Sequence, residues 1–271
     1  IVAQDVTYSQ FYANPLFLNP ALAGAEDCPR IHLNYRNQWP SLPGAFASYS
    51  ASYDQYSEFM HGGLGVQFTY DQSGEVGFQR MKASVMYAYR LFVSDELTAQ
   101  MGLQAGYSQR SIDAGSLIIG YDPNGDPVYA SQNNALVNQQ LSYPDFAGGF
   151  MLGWLDKYFI GGAVHHLSQP NISFFGDQAY NLNMRITVHA GANFGGDDSY
   201  YRSYGSSLMV SPNLMYQQQG AFKNMNVGSY FTLQPFVAGL WYRHAFENPD
   251  AVIASLGFVQ ENYRIGYSYD Y

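Results

Sequence analysis

Charge is scarce in this chain of 271 residues: Asp, Glu, Lys and Arg together make up 12%, about half the ~25% of an ordinary soluble domain. Cysteine is nearly absent. The single Cys28 excludes an internal disulfide framework; lying well inside the chain, it is not a lipid-modified first residue, and it reads as a free thiol in a loop. No apolar run approaches the ~18 residues of a membrane helix, and mean hydropathy is slightly negative. No G-x-S-x-G elbow or other nucleophile motif is present, so nothing in these residues supports an enzyme. A net charge of −9 argues against a nucleic-acid partner.

What is present is alternation. Leu97, Ala99, Met101, Leu103, Ala105 and Tyr107 alternate with Thr98, Gln100, Gly102, Gln104 and Gly106. The same two-residue period runs through Leu64–Tyr70, Arg80–Leu91 and Met184–Phe194. Side chains of a strand change face at every residue, so each segment has one apolar and one polar face. With 25 Tyr and 18 Phe, many of them at segment ends, the pattern is that of a transmembrane β-barrel with aromatic girdles. A soluble sandwich or lipocalin-like barrel also alternates, but with fewer and shorter strands.

Thirteen strands are read, near 31–39, 46–54, 62–71, 78–92, 96–110, 146–154, 158–167, 182–194, 206–218, 225–233, 236–244, 251–260 and 263–271. Pro212 sits awkwardly inside the ninth. Bacterial single-chain barrels have even counts, so either a strand is uncounted or a closing strand lies outside this chain. Short links (71–74, 94–95, 156–157, 248–250, 261–262) and long ones (111–145, 168–181, 195–205) predict short turns at one end and long loops at the other. Arg36, Arg80, Lys82, Arg90, Arg110, Arg185, Arg243 and Arg264 fall on the polar parity, whereas acids cluster in turns such as Glu26-Asp27 and Asp197-Asp198. The expectation is a basic lumen face between acidic rims, serving as a brace, or as a contact for a ligand or plug.

Residues 1–30 do not alternate. Phe11, Tyr12, Pro15, Leu16, Leu18, Asn19 and Pro20 form an aromatic, Pro/Asn-punctuated block ending at Gly24, too apolar for a free tail and too interrupted for a strand. It must pack inside the barrel as a plug or against a partner. Ile-Val-Ala-Gln at the start resembles the tail of an export signal, with Ala3-Gln4 as the cleavage junction. Small residues on the polar parity (Gly65, Gly102, Gly106, Gly191, Gly239, Gly266) leave room for a plug or a pore. Asp122, Asn124 and Asp126 imitate the opening of a calcium loop, but glycine and the closing glutamate are misplaced, so a surface turn is the better reading. His165 and His166 are adjacent, and strand alternation would point them to opposite faces, unable to share a metal.

The run from Asp5 to Gly24, with Ser9-Gln10-Phe11-Tyr12 and Asn19-Pro-Ala-Leu-Ala-Gly24, resembles the opening of the PorP/SprF family of Bacteroidota outer-membrane proteins. Arg36-Asn-Gln-Trp39, Phe46–Asp54, Gly62–Gly65 and Arg264–Asp270 extend the resemblance over essentially the whole chain. Val6 stands where the family usually has proline, and family members usually continue past the Gly-Tyr-Ser-Tyr-Asp segment to a final strand. The alternative is that Tyr263–Tyr271 is itself the closing strand. The resemblance implies a non-enzymatic barrel of the type IX secretion and gliding apparatus, integral to the outer membrane of a Gram-negative bacterium. The implied partners are periplasmic ring lipoproteins and a peptidoglycan-linked protein of the secretion machine, or one large surface adhesin.

The expectation is therefore an all-β transmembrane antiparallel barrel of about 14 strands over 31–271, with an irregular periplasmic or plug-like segment at 1–30. It needs no cofactor, metal or catalytic residue, and it docks or anchors a secretion component or adhesin. An outer-membrane channel for a solute or hydrophobic ligand is the alternative.

Overall fold

The computed structural model describes residues 5–40, 45–73, 77–112, 118–124, 126–129, 139–155, 157–174, 180–195, 208–246 and 248–271. The expected Ala3-Gln4 junction lies outside them. The strands are β1 (Arg30–Gln38), β2 (Phe46–Ser57), β3 (Gly62–Ser73), β4 (Phe78–Phe92), β5 (Leu97–Ile112), β6 (Ile118–Tyr121), β7 (Pro127–Tyr129), β8 (Gln139–Trp154), β9 (Tyr158–His165), β10 (Arg185–Ala192), β11 (Met209–Gln219), β12 (Phe222–Leu233), β13 (Phe236–Ala245), β14 (Asn248–Gln260) and β15 (Tyr263–Asp270). Thirteen of them form one antiparallel sheet in sequence order, and β6 and β7 pair as a separate hairpin. The thirteen match the alternating segments of the sequence one for one.

The alternation has the sense opposite to that of a soluble protein. Leu33 and Leu103 are 77% and 70% exposed on the outer wall, while Ser50, Gln104 and Arg110 are buried within. In lipid an apolar exterior costs nothing, and the ladder satisfies the backbone groups that lipid cannot. Ten of the thirteen sheet strands have 9 to 16 residues, the roughly 9–11 or more that a tilted strand needs to cross a bilayer; β9, β10 and β15 have 8 each. Pro212 is accommodated because the β10–β11 ladder stops at Gly191–Asn213, one position short, and resumes as the Phe194–Val210 bridge.

The sheet curls around the N-terminal segment, which inward side chains of β1, β3, β10 and β13 all meet. Its two edges, β1 and β15, share no ladder; Arg36 Nη2 and Asp270 Oδ2 span the seam at 3.4 Å. An odd meander leaves these two edge strands running in the same direction, and no fourteenth strand joins this sheet among the described residues.

Strand reversal assigns the links to two ends. One end carries 58–61, 93–96, 155–157, 193–208, 234–235 and 261–262; the other carries 39–45, 74–77, 113–138, 166–184, 220–221 and 246–247. We call these the turn end and the loop end. The expected segregation holds only in part: the long link 193–208 joins the short-turn side, and the short links 74–77 and 246–247 lie opposite.

Candidate functional site

Residues 5–29 begin at the loop end, run through the lumen and leave at the turn end, where β1 starts. Three single turns shape the middle: Phe11–Ala13, Pro15–Leu18 and Pro20–Leu22. Pro15 and Pro20 each open a turn, where a missing N–H costs no hydrogen bond. The Asn19 carbonyl oxygen Oδ1 accepts from Ala21 N at 2.9 Å, and its Nδ2 donates to Phe150 O at 2.9 Å. Gln67 Nε2 donates to Asn14 Oδ1, and Asn34 Nδ2 to Ala13 O. A segment without a ladder thus has several of its polar groups met by the barrel wall, although Tyr8 Oη, Tyr12 Oη and Asn14 Nδ2 are buried without a partner.

The apolar side chains of this segment supply much of the molecule's hydrophobic core. Phe11 and Leu18 pack with Met215, Trp241, Ala251 and Ile253; the Phe11 and Trp241 rings meet edge to face at 4.9 Å. Leu16 and Ala23 pack with Met86 and Ala88. The inner wall is cut away to admit it: a Cβ on Gly102 would overlap the backbone of Pro20 and Ala21, and one on Gly63 would overlap Ala23. Gly65 and Gly266 face Leu16 and Gln10 of the same segment, whereas Gly106, Gly191 and Gly239 face only neighbouring strands.

At the loop end the contacts are ionic. The Asp5 carboxylate pairs with Arg80, lies 2.6 Å from His166 Nε2 and 3.2 Å from Arg185 Nη1. Asp71 holds Arg80 at 2.7 Å; Asp145 holds Lys82 at 2.5 Å and His166 Nδ1 at 3.0 Å. Burial alone would raise the Asp5 pKa, but the charges of His166, Arg80 and Arg185 outweigh it and hold it well below the usual carboxylate range. Burial also opposes the His166 imidazolium, yet Asp5 and Asp145 prevail and raise its pKa. Arg36 Nη1 donates to Thr7 O and to Ser9 Oγ. Where the chain leaves the lumen, Gly24 N donates to Asp54 Oδ2 at 2.7 Å, and Arg30 Nη2 bonds the same oxygen at 2.6 Å.

All seven residues of the predicted N-terminal block lie in the lumen: Phe11, Pro15, Leu16, Leu18, Asn19 and Pro20 are buried and Tyr12 is half-buried. Seven of the eight predicted basic residues point inward with their side chains largely enclosed; Arg264, on the inward parity of β15, is exposed. They do not form an uncompensated basic face, because Asp5, Asp71, Asp145 and Asp270 stand among them. Arg30, unpredicted, anchors the exit through Asp54. His165 and His166 do not face apart: His166 has φ +60°, which turns its ring back into the lumen beside His165, with ring centroids 6.5 Å apart. Its two nitrogens are taken by Asp5 and Asp145, and His165 Nε2 lies 3.4 Å from Leu18 O. Asp122 Oδ1 accepts from the backbone of Asn124 and Asp126, closing the β6–β7 turn. Cys28 is exposed and unpaired.

Interior cavities beside the segment hold only about 20 and 10 Å³, roughly a single water each. The larger spaces lie elsewhere. A vestibule of about 1160 Å³ opens at the turn end, lined by Glu26, Asp27, Tyr56, Glu58, Arg90 and Phe92 among others. Arg90 is tied there to Asp27 at 2.9 Å and lies over the Tyr56 ring. Phe59, 93% exposed, tips the neighbouring turn. A shallow apolar concavity of about 900 Å³, with Ala51, Ala83 and Ala105 in its lining, marks the outer wall.

No curated protein matches the chain. The family described as type IX secretion system membrane protein PorP/SprF matches residues 2–271, which include both the wall and the segment it encloses. The chain is a membrane protein belonging to the PorP/SprF family of the type IX secretion system.

Proposed function

We propose that this protein is an outer-membrane barrel, sealed by its own N-terminal segment, that docks a periplasmic component of the secretion machine at its turn-end mouth. The observation that carries this reading is the contrast in free space. The two cavities beside the segment have room for about one water each, whereas the turn end opens into a vestibule of about 1160 Å³. A barrel with that distribution is built to hold something at its mouth rather than to pass something through. In outer-membrane barrels short turns face the periplasm, and five of the six turn-end links are short. Glu26 and Glu58 at the rim, with Phe59 and Phe92 beside them, suit a partner presenting basic and aliphatic side chains.

The segment residues are not the docking surface in this account, because they are enclosed. Gentle detergent purification of the whole protein from its own membrane, with mass spectrometry of what accompanies it, is the test. The expected result is stoichiometric recovery of a secretion-system component, lost in the Phe59→Asp/Phe92→Asp variant while the barrel still folds. Recovery of the barrel alone, together with steady conductance in planar bilayers, would replace docking with transport.

A further inference from the structure

The ionic cluster at the loop end is built around a carboxylate that no strand supplies. Asp5 arrives on the N-terminal segment, and its side chain is 4% exposed. Its backbone N–H donates to Gln219 Oε1 at 2.9 Å. Its receptors sit at or near strand ends facing the loop-end mouth: Arg80 near the start of β4, Arg185 opening β10 and His166 just after β9. Without Asp5, the fixed cations Arg80, Lys82 and Arg185, with His166, would face, among the carboxylates of the described residues paired with them, Asp71 and Asp145 alone. The remainder carries a surplus of positive charge in a buried site, which an anion must offset.

Arg185 shows this most clearly. It is 3% exposed, and the one carboxylate paired with it among the described residues is Asp5. Its Nη2 donates to Phe17 O at 3.0 Å, its guanidinium lies 4.3 Å from the Phe17 ring centre, and neither Nε nor Nη1 makes a hydrogen bond, so Asp5 meets it as an ion pair at 3.2 Å alone. A cavity of about 20 Å³ adjoins it, lined also by Asp5, Arg80, Lys82 and His166. Residues 5–9 are held by Asp5, by Arg36 on Thr7 and Ser9, and by the edge contact of Tyr8 on Phe17, so they can open without extracting the apolar stretch below.

We propose that Arg80, Arg185 and His166 form a carboxylate receptor, filled in cis by Asp5, that takes a carboxylate from another molecule when residues 5–9 lift from the loop-end mouth. The inference is independent of docking at the turn end. The two sources of such a group are a free small acid and a polypeptide C-terminus. The test uses the full-length barrel with Asp5→Ala, followed by its heat-induced unfolding at constant ionic strength. Acetate and N-acetyl-diglycine are the probes, and the diglycine amide and chloride are the controls.

The expected result is a lowered Tm that acetate restores saturably in Asp5→Ala, with no shift in the wild type and none in Asp5→Ala/Arg185→Gln. Rescue by acetate alone assigns the receptor to small acids; rescue by the peptide acid as well, and not by its amide, extends it to chain termini. Equal shifts in all three proteins, or no shift in Asp5→Ala, would overturn the proposal. Should Asp5→Ala fail to assemble, Asp5→Asn keeps the side-chain volume while removing the charge, and the same titration applies.

Discussion

The two halves of the N-terminal segment are held by different physics. Asp5 to Ser9 forms a clip whose contacts are mostly charged or polar and lie near the loop-end mouth. Phe11 to Ala23 forms a wedge, held by volume against Met86, Met215, Trp241 and Ile253, where a Gly102 or Gly63 side chain would collide. A clip responds to pH and to competing ions, whereas a wedge responds to size. The difference means that one end of the segment can answer a signal while the other keeps the lumen filled.

The comparison breaks most readily on the wedge side. Leu16→Ala removes a side chain with no exposure and should cost about 2–5 kcal/mol, seen as a lower denaturant midpoint for the whole barrel. Gly102→Val should cost about 1–3 kcal/mol through overpacking, and limited proteolysis should then cut residues 5–24, which stay protected in the wild type. If Gly102→Val leaves both stability and protection unchanged, the segment does not press on β5.

The wall was largely legible in the sequence, because alternation in a barrel is dictated by solvent on both faces and every strand shows it. The wedge was legible as an apolar stretch that does not alternate, whereas its counterpart, Met86 and Ala88 on the polar parity of β4, was not singled out. The clip was not legible. An aspartate at or next to the end of an alternating segment, as at Asp71 or Asp145, looks the same whether it meets water or a cation from another element. His166 escaped because a left-handed residue that is not glycine leaves no mark in the sequence. The side to which link 193–208 belongs follows from strand parity, not from its length.

The clip should be sharpened by pH. His166 is raised above its ordinary 6.5, so its charge contributes fully below that value and is lost as pH rises through the elevated one. Asp5 is depressed, so its contribution is present above the ordinary carboxylate range and lost only as pH falls through its lowered value. Protection factors, corrected for the base catalysis of amide exchange itself, should therefore fall at residues 5–9 on going from pH 6 toward alkaline solution, with those of residues 16–23 unchanged; an equal fall in both would merge clip and wedge. The smallest effect belongs outside the lumen. Phe59→Ala, at a 93% exposed turn tip, should change stability by less than about 0.5 kcal/mol in denaturant titration.

The most direct test of the central claim, that residues 5–24 fill the barrel, is the conductance of the whole wild-type protein in planar lipid bilayers at neutral pH. The account predicts a silent, sealed barrel. Stable open-channel steps from the intact chain would contradict it.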